Sequence, residues 1–75
     1  MKPYKNVAGN SGIVAYEIGK TFINIKFRHE PYIYTYNYKK PGKTDVEKMK
    51  VLAENGKGLS TYISQHIGTK YAVKK

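Results

Sequence analysis

Cysteine is absent from the 75 residues, which removes both a disulfide framework and a thiolate zinc site as means of holding so short a chain together. Long hydrophobic runs are absent too. Aliphatic stretches reach no more than three residues, as in Ile13, Val14, Ala15, so no segment reads as a membrane span or a signal-peptide core. Carboxylates are few: five Asp and Glu are scattered along the chain, beside two histidines. His29 precedes Glu30, but adjacent residues at a strand end point apart, and neither a serine nor a metal-ligand spacing accompanies them. His66 falls on the apolar stripe of a helix and reads as a packed histidine. No catalytic residue, metal or cofactor is expected, and the chain reads as non-enzymatic.

What the sequence has in excess is positive charge. Fourteen Lys and Arg against five acids leave a net charge of +9, which favours polyanionic partners. Much of it sits at the ends. Lys2, Lys5, Lys70, Lys74 and Lys75 lie near the termini, where fraying is common, so the segment 6–69 carries a net charge of only +4, nine cations against five anions.

One domain is the only count this length allows, and burial must hold it together unaided. Residues 1–11, with Ala8, Gly9 and Asn10 in succession, read as an irregular arm, because small turn-forming residues cluster there without periodicity. The domain proper is expected over 12–69, and 70–75 as a basic tail. A first strand covers Gly12–Ile18. Gly19 and Lys20 turn the chain, with glycine expected to supply a positive φ. The second strand covers Thr21–Arg28, where Ile23, Ile25 and Phe27 alternate with Asn24, Lys26 and Arg28. Pro31 breaks it, and a third strand runs from Tyr32 to Tyr38 with tyrosine at every even position.

After the loop Lys39, Lys40, Pro41, Gly42, Lys43, the pair Thr44 and Glu47 matches a capping box. Asp45 suits the positive end of the helix dipole. Val46, Met49, Leu52 and Ala53 recur at helical spacing until Asn55 and Gly56 stop the helix. A second helix covers Leu59–Ile67, capped by Gly68. Short helices need something to pack on. The expected fold is therefore α+β: a three-stranded antiparallel meander with two short helices on one face, in the order βββαα.

This pattern resembles the KTSC family, small bacterial domains found alone and at the C-terminus of some lysyl-tRNA synthetases. The resemblance runs from about Ile13 to Tyr71. It rests on the strand Ile23, Ile25, Phe27, a central Tyr34-x-Tyr36, the helix end Leu52, Ala53, a glycine at Gly56 or Gly58, a helix carrying Ile63, and Tyr71 trailing. Two places depart from the family. Glu30 and Pro31 stand where it has a glycine turn, and Gly56, Lys57, Gly58 replaces its serine and glycine pattern. The resemblance implies a role in binding RNA.

The even tyrosines can be a stacking platform for bases or the apolar row that a covered sheet requires. The odd row, Ile33, Thr35, Asn37, is the more polar, so Tyr34 and Tyr36 are assigned to the core. Tyr38, beside Lys39 and Lys40, is the rung expected to meet a ligand. The nucleic-acid-binding residues expected are Lys26 and Arg28 on the open sheet face, Tyr38, Lys39, Lys40 and Lys43 before the first helix, where free amides also favour anions, and Lys57. The function expected is a small basic cytoplasmic module, bacterial or phage-borne, that binds RNA or single-stranded nucleic acid. The rival is a protein-interaction module or phage-type accessory protein with an acidic partner. Association with an anionic membrane ranks third, and the open strand edge permits a dimer without requiring one.

Overall fold

Ile23 and Ile25 are fully buried while Asn24 and Lys26 between and after them are not, so the alternation of the second strand covers one face of a sheet and leaves the other open. In the computed structural model, which describes residues 1–7, 9 and 11–75, the strands are β1 (Lys2–Pro3), β2 (Ile13–Ile18), β3 (Phe22–Phe27), β4 (Ile33–Asn37) and β5 (Val73–Lys74). Two of the arm residues, Ala8 and Asn10, lie outside the described residues. Between β4 and β5 come α1 (Lys43–Asn55) and α2 (Leu59–Tyr62), which runs on into a π-helical turn over Ile63–Ile67.

The fold is α+β, with an antiparallel sheet in the order β1-β2-β3-β4-β5 and the helices on one face. Five strands replace the expected three. Lys2 and Pro3 pair with Tyr16 and Ala15, and Val73 and Lys74 pair with Thr35 and Tyr34. The arm is therefore not wholly irregular and the tail does not end at the domain's edge. Each terminal strand covers the outer edge of a longer one, satisfying backbone groups that would otherwise stay open. Tyr4 continues this docking: its amide donates to the Val14 carbonyl at 2.9 Å, and its ring is buried.

The core is the layer between sheet and helices. Ile13, Tyr16, Ile23, Ile25 and Tyr36 face Val46, Met49, Ala53, Leu59, Ile63 and Ile67. Tyr36 is 2% exposed and Tyr34 packs at the margin of this cluster, as the two-row comparison of β4 requires.

Two local expectations are corrected. The capping box is not formed. α1 begins at Lys43 with Gly42 as its N-cap, and no side chain caps it. Thr44 thus sits inside the first turn, while the Glu47 carboxylate is taken by Lys50 at 2.8 Å and the Tyr38 hydroxyl at 2.6 Å. Gly19, for its part, is not at positive φ. A methyl group there would lie 2.0 Å from the Phe22 ring, so glycine is needed for the close approach of that ring. Gly56 does adopt the left-handed conformation, φ 72°, and its amide closes α1 on the Leu52 and Ala53 carbonyls.

Candidate nucleic-acid interface

The loop from β4 to α1 is held by one side chain. Asn37 Oδ1 accepts hydrogen bonds from the amides of Lys39 and Lys40 at 3.0 and 2.9 Å, and the Lys40 carbonyl accepts from the Asn37 amide. An asparagine closing a turn on its own following amides is the Asx geometry this residue favours. The amides are used internally, and the two lysine side chains are exposed.

Tyr38 is next to this turn, and its position differs from the expectation that it meets a ligand. Its ring is half-buried against the core, and its hydroxyl donates to Glu47 Oε2 at 2.6 Å and lies 3.3 Å from the Lys20 carbonyl. The Glu47 carboxylate raises the Tyr38 pKa, with burial as the second cause. Glu47 itself is held below its ordinary value, first by Lys50 and then by Tyr38. Lys50 donates to the Lys20 carbonyl at 3.0 Å, so its charge is spent on the scaffold. The ammonium groups of Lys43 and Lys50 lie 5.8 and 5.7 Å from the Tyr38 ring centroid. Tyr38 is thus a clamp that joins the β2–β3 turn, β4 and α1. Around it Lys20, Lys39, Lys40 and Lys43 are exposed.

The other expected residues do not join this corner. Lys26 pairs with Ile33 at the opposite end of β4, about 15 Å away along the strand. Its ammonium folds back on the Phe27 carbonyl at 2.9 Å and on the Glu30 carbonyl. Arg28 lies in the same β3–β4 turn, where its amide donates to the Gly12 carbonyl and its guanidinium reaches the Ser11 carbonyl at 3.4 Å. Lys57 follows the far end of α1, about 20 Å from Lys43 at 1.5 Å rise per residue. It lines a cavity of about 190 Å³ with Tyr4, Asn6, Ser11, Ser60 and Thr61. The seven residues therefore occupy three separate places.

The open sheet face is also less available than its composition indicates. Thr35 Oγ1 donates to Asn24 Oδ1 at 2.6 Å, and Asn24 Nδ2 donates to Glu17 Oε1 at 3.2 Å. This chain of hydrogen bonds crosses β4, β3 and β2 and pairs polar groups of the open face with one another. Lys20 and Lys74 are the basic residues that sequence reasoning missed. Lys20 was legible as part of a turn but not as a neighbour of Lys39. Lys74, assigned to a fraying tail, is fixed on β5 with its ammonium 4.8 Å from the Tyr32 ring centroid and 5.6 Å from that of Tyr34.

Among the described residues no three of His, Asp and Glu gather to hold a metal, and no helix is long and apolar enough to cross a membrane. No protein-family model matches the chain, and no curated protein or solved structure matches it either.

Proposed function

We propose that the chain is a small non-enzymatic cytoplasmic module that binds RNA or single-stranded nucleic acid, with the β4–α1 corner as its phosphate contact. The observation that carries this reading is that Lys20, Lys39, Lys40 and Lys43 are all exposed near a corner whose two carboxylates are engaged, Glu47 by Lys50 and the Tyr38 hydroxyl and Asp45 by the Tyr62 hydroxyl. Four exposed ammonium groups, from the β2–β3 turn, the Asn37-closed turn and the start of α1, attract a phosphodiester backbone and place it without reading bases. The net charge of +9 adds long-range attraction. The resemblance to KTSC domains supports the same partner class. With about four phosphates contacted, log affinity falls against log salt with a slope of roughly −3 for a single strand.

The test is an anisotropy titration with labelled RNA and DNA oligonucleotides of mixed sequence, repeated over a salt series. Substituting Lys39, Lys40 and Lys43 by alanine together is expected to weaken binding to every sequence alike and to flatten the salt slope by about 2. Absence of binding at low salt would end this reading.

A further inference from the structure

Of the aromatic residues among those described, only Tyr32 is exposed, at 43%. Every other tyrosine and both phenylalanines are buried or half-buried. Its surroundings are built. Tyr32 directly precedes β4, whose first residue, Ile33, exchanges two backbone hydrogen bonds with Lys75 at 2.7 and 3.0 Å. The neighbouring rings are used for packing: Tyr34 meets Phe27 and Tyr71 edge to face, with centroids 5.3 and 4.9 Å apart. The Tyr34 hydroxyl donates to Glu30 Oε1 at 3.0 Å. Lys74, on β5, brings its ammonium to 4.8 Å from the Tyr32 ring centroid.

An exposed ring on a fixed backbone, with the Lys74 ammonium over one of its faces, has two chemistries to offer. The ring stacks on a flat π-system, and the ammonium pairs with an anion next to it. A nucleotide carries both. Bases within a duplex are already stacked on each other, so only an unpaired base can lie on the ring without the cost of extrusion. Tyr32 with Lys74, and the turn holding Lys39 and Lys40, stand at opposite ends of the same β4–β5 edge, about 20 Å apart. An extended single strand of a few nucleotides covers that span.

We infer that Tyr32 is a stacking site for an unpaired base, with Lys74 meeting the adjoining phosphate, and that this pair makes the module select single strands over duplexes. The inference rests on the nucleic-acid reading above and adds to it the strandedness of the ligand and a second contact point. Lys74 stays cationic, since contact with the Tyr34 hydroxyl raises its pKa.

The chain contains no tryptophan, so Tyr32→Trp introduces a single indole reporter at this position. The probes are a short oligothymidylate and a mixed-sequence duplex of equal length. Tyr32→Trp is expected to keep the affinity for the oligothymidylate, and its indole emission to be quenched on binding. Tyr32→Ala is expected to weaken the same complex by roughly fivefold to a hundredfold, the range for loss of one stacked base, with duplex affinity and melting temperature unchanged. Lys74→Gln is expected to reduce the single-strand salt slope by about 0.7. If the oligothymidylate binds but Tyr32→Ala does not weaken it, or the indole emission does not change, the stacking site is refuted while the phosphate corner stands. If neither probe binds the wild-type chain, both fall together.

Discussion

The Tyr62 hydroxyl donates a 2.6 Å hydrogen bond to Asp45 Oδ1, tying α2 to the first turn of α1. The carboxylate at the receiving end, with burial second, pushes the Tyr62 pKa up to about 12. Asp45 therefore does more than complement the helix dipole: it fixes the angle at which the helical pair closes over the sheet. Removing the hydroxyl with Tyr62→Phe is expected to lower stability by about 1 kcal/mol, the value of a partly exposed hydrogen bond to a charged group. Urea unfolding of Tyr62→Phe, Asp45→Asn and the double variant checks this through their coupling. Strictly additive effects would show that the two side chains do not act as a pair.

Tyr36 gives the fold an alkaline limit. Burial, then the neighbouring phenols Tyr34 and Tyr71, push its pKa from 10.0 up to about 12. The folded state thus holds this proton more tightly than the unfolded state does. The resulting stabilisation is complete below pH 10 and disappears as pH rises from 10 towards 12. The expected loss is on the order of 2 to 3 kcal/mol across that window. Denaturant midpoints of wild type and Tyr36→Phe, measured up the alkaline limb, should diverge in slope, because phenylalanine has no proton to lose. Parallel curves would assign the alkaline loss to other groups.

Gly56 is required twice over. Its φ of 72° disfavours any side chain, and a methyl group would lie 2.5 Å from Cβ of Lys5. The same contact holds the arm, since the Val7 amide donates to the Gly56 carbonyl at 2.8 Å. Gly56→Ala is expected to cost about 2 to 4 kcal/mol, combining backbone strain and overpacking. Thermal melting checks it, and Lys5→Gly in the same chain should recover part of the loss by removing the opposing carbon. Gly12→Ala, with nothing within 4 Å of the added methyl, is the control.

The C-terminal residues are structural as well as basic. Deleting residues 73–75 removes β5 and the hydrogen bonds between Lys75 and Ile33 at 2.7 and 3.0 Å. It also takes Lys74 from the Tyr32 and Tyr34 rings. The expected cost is about 1 to 3 kcal/mol. Amide exchange should then accelerate at Ile33 and Thr35, on the uncovered edge of β4. An unchanged melting temperature would return these residues to the status of a loose tail.

Much of this architecture is written in short-range pattern. The alternation Ile23, Ile25, Phe27, the helical spacing of Val46, Met49 and Ala53, and the glycine stops at Gly56 and Gly68 are local signals, and each element appears where its period places it. β1 and β5 carry no such signal. Two residues have no period, and Lys2, Pro3, Val73 and Lys74 become strands only because β2 and β4 present edges for them to pair with. The capping box had a pattern but is not formed, because α1 starts from Gly42 rather than Thr44, and Glu47 is engaged by Lys50 and Tyr38.

The corner was legible for a related reason. Tyr38, Lys39, Lys40 and Lys43 lie close together in the chain, separated only by Pro41 and Gly42, so the sequence shows them together. Lys20 reaches them only through the β2–β3 turn, and Lys57 is carried away by the length of α1. By itself the sequence determined the charge, the periods of three strands and two helices, and that the four even tyrosines of the third strand share a face. Tertiary packing decided which of those rings a ligand can touch. The helical layer covers Tyr36 and clamps Tyr38 through Glu47, Phe27 and Tyr71 flank the half-buried Tyr34, and Tyr32 stands exposed beyond them. Accessibility depends on where one layer ends above another, and no spacing along a single strand encodes that.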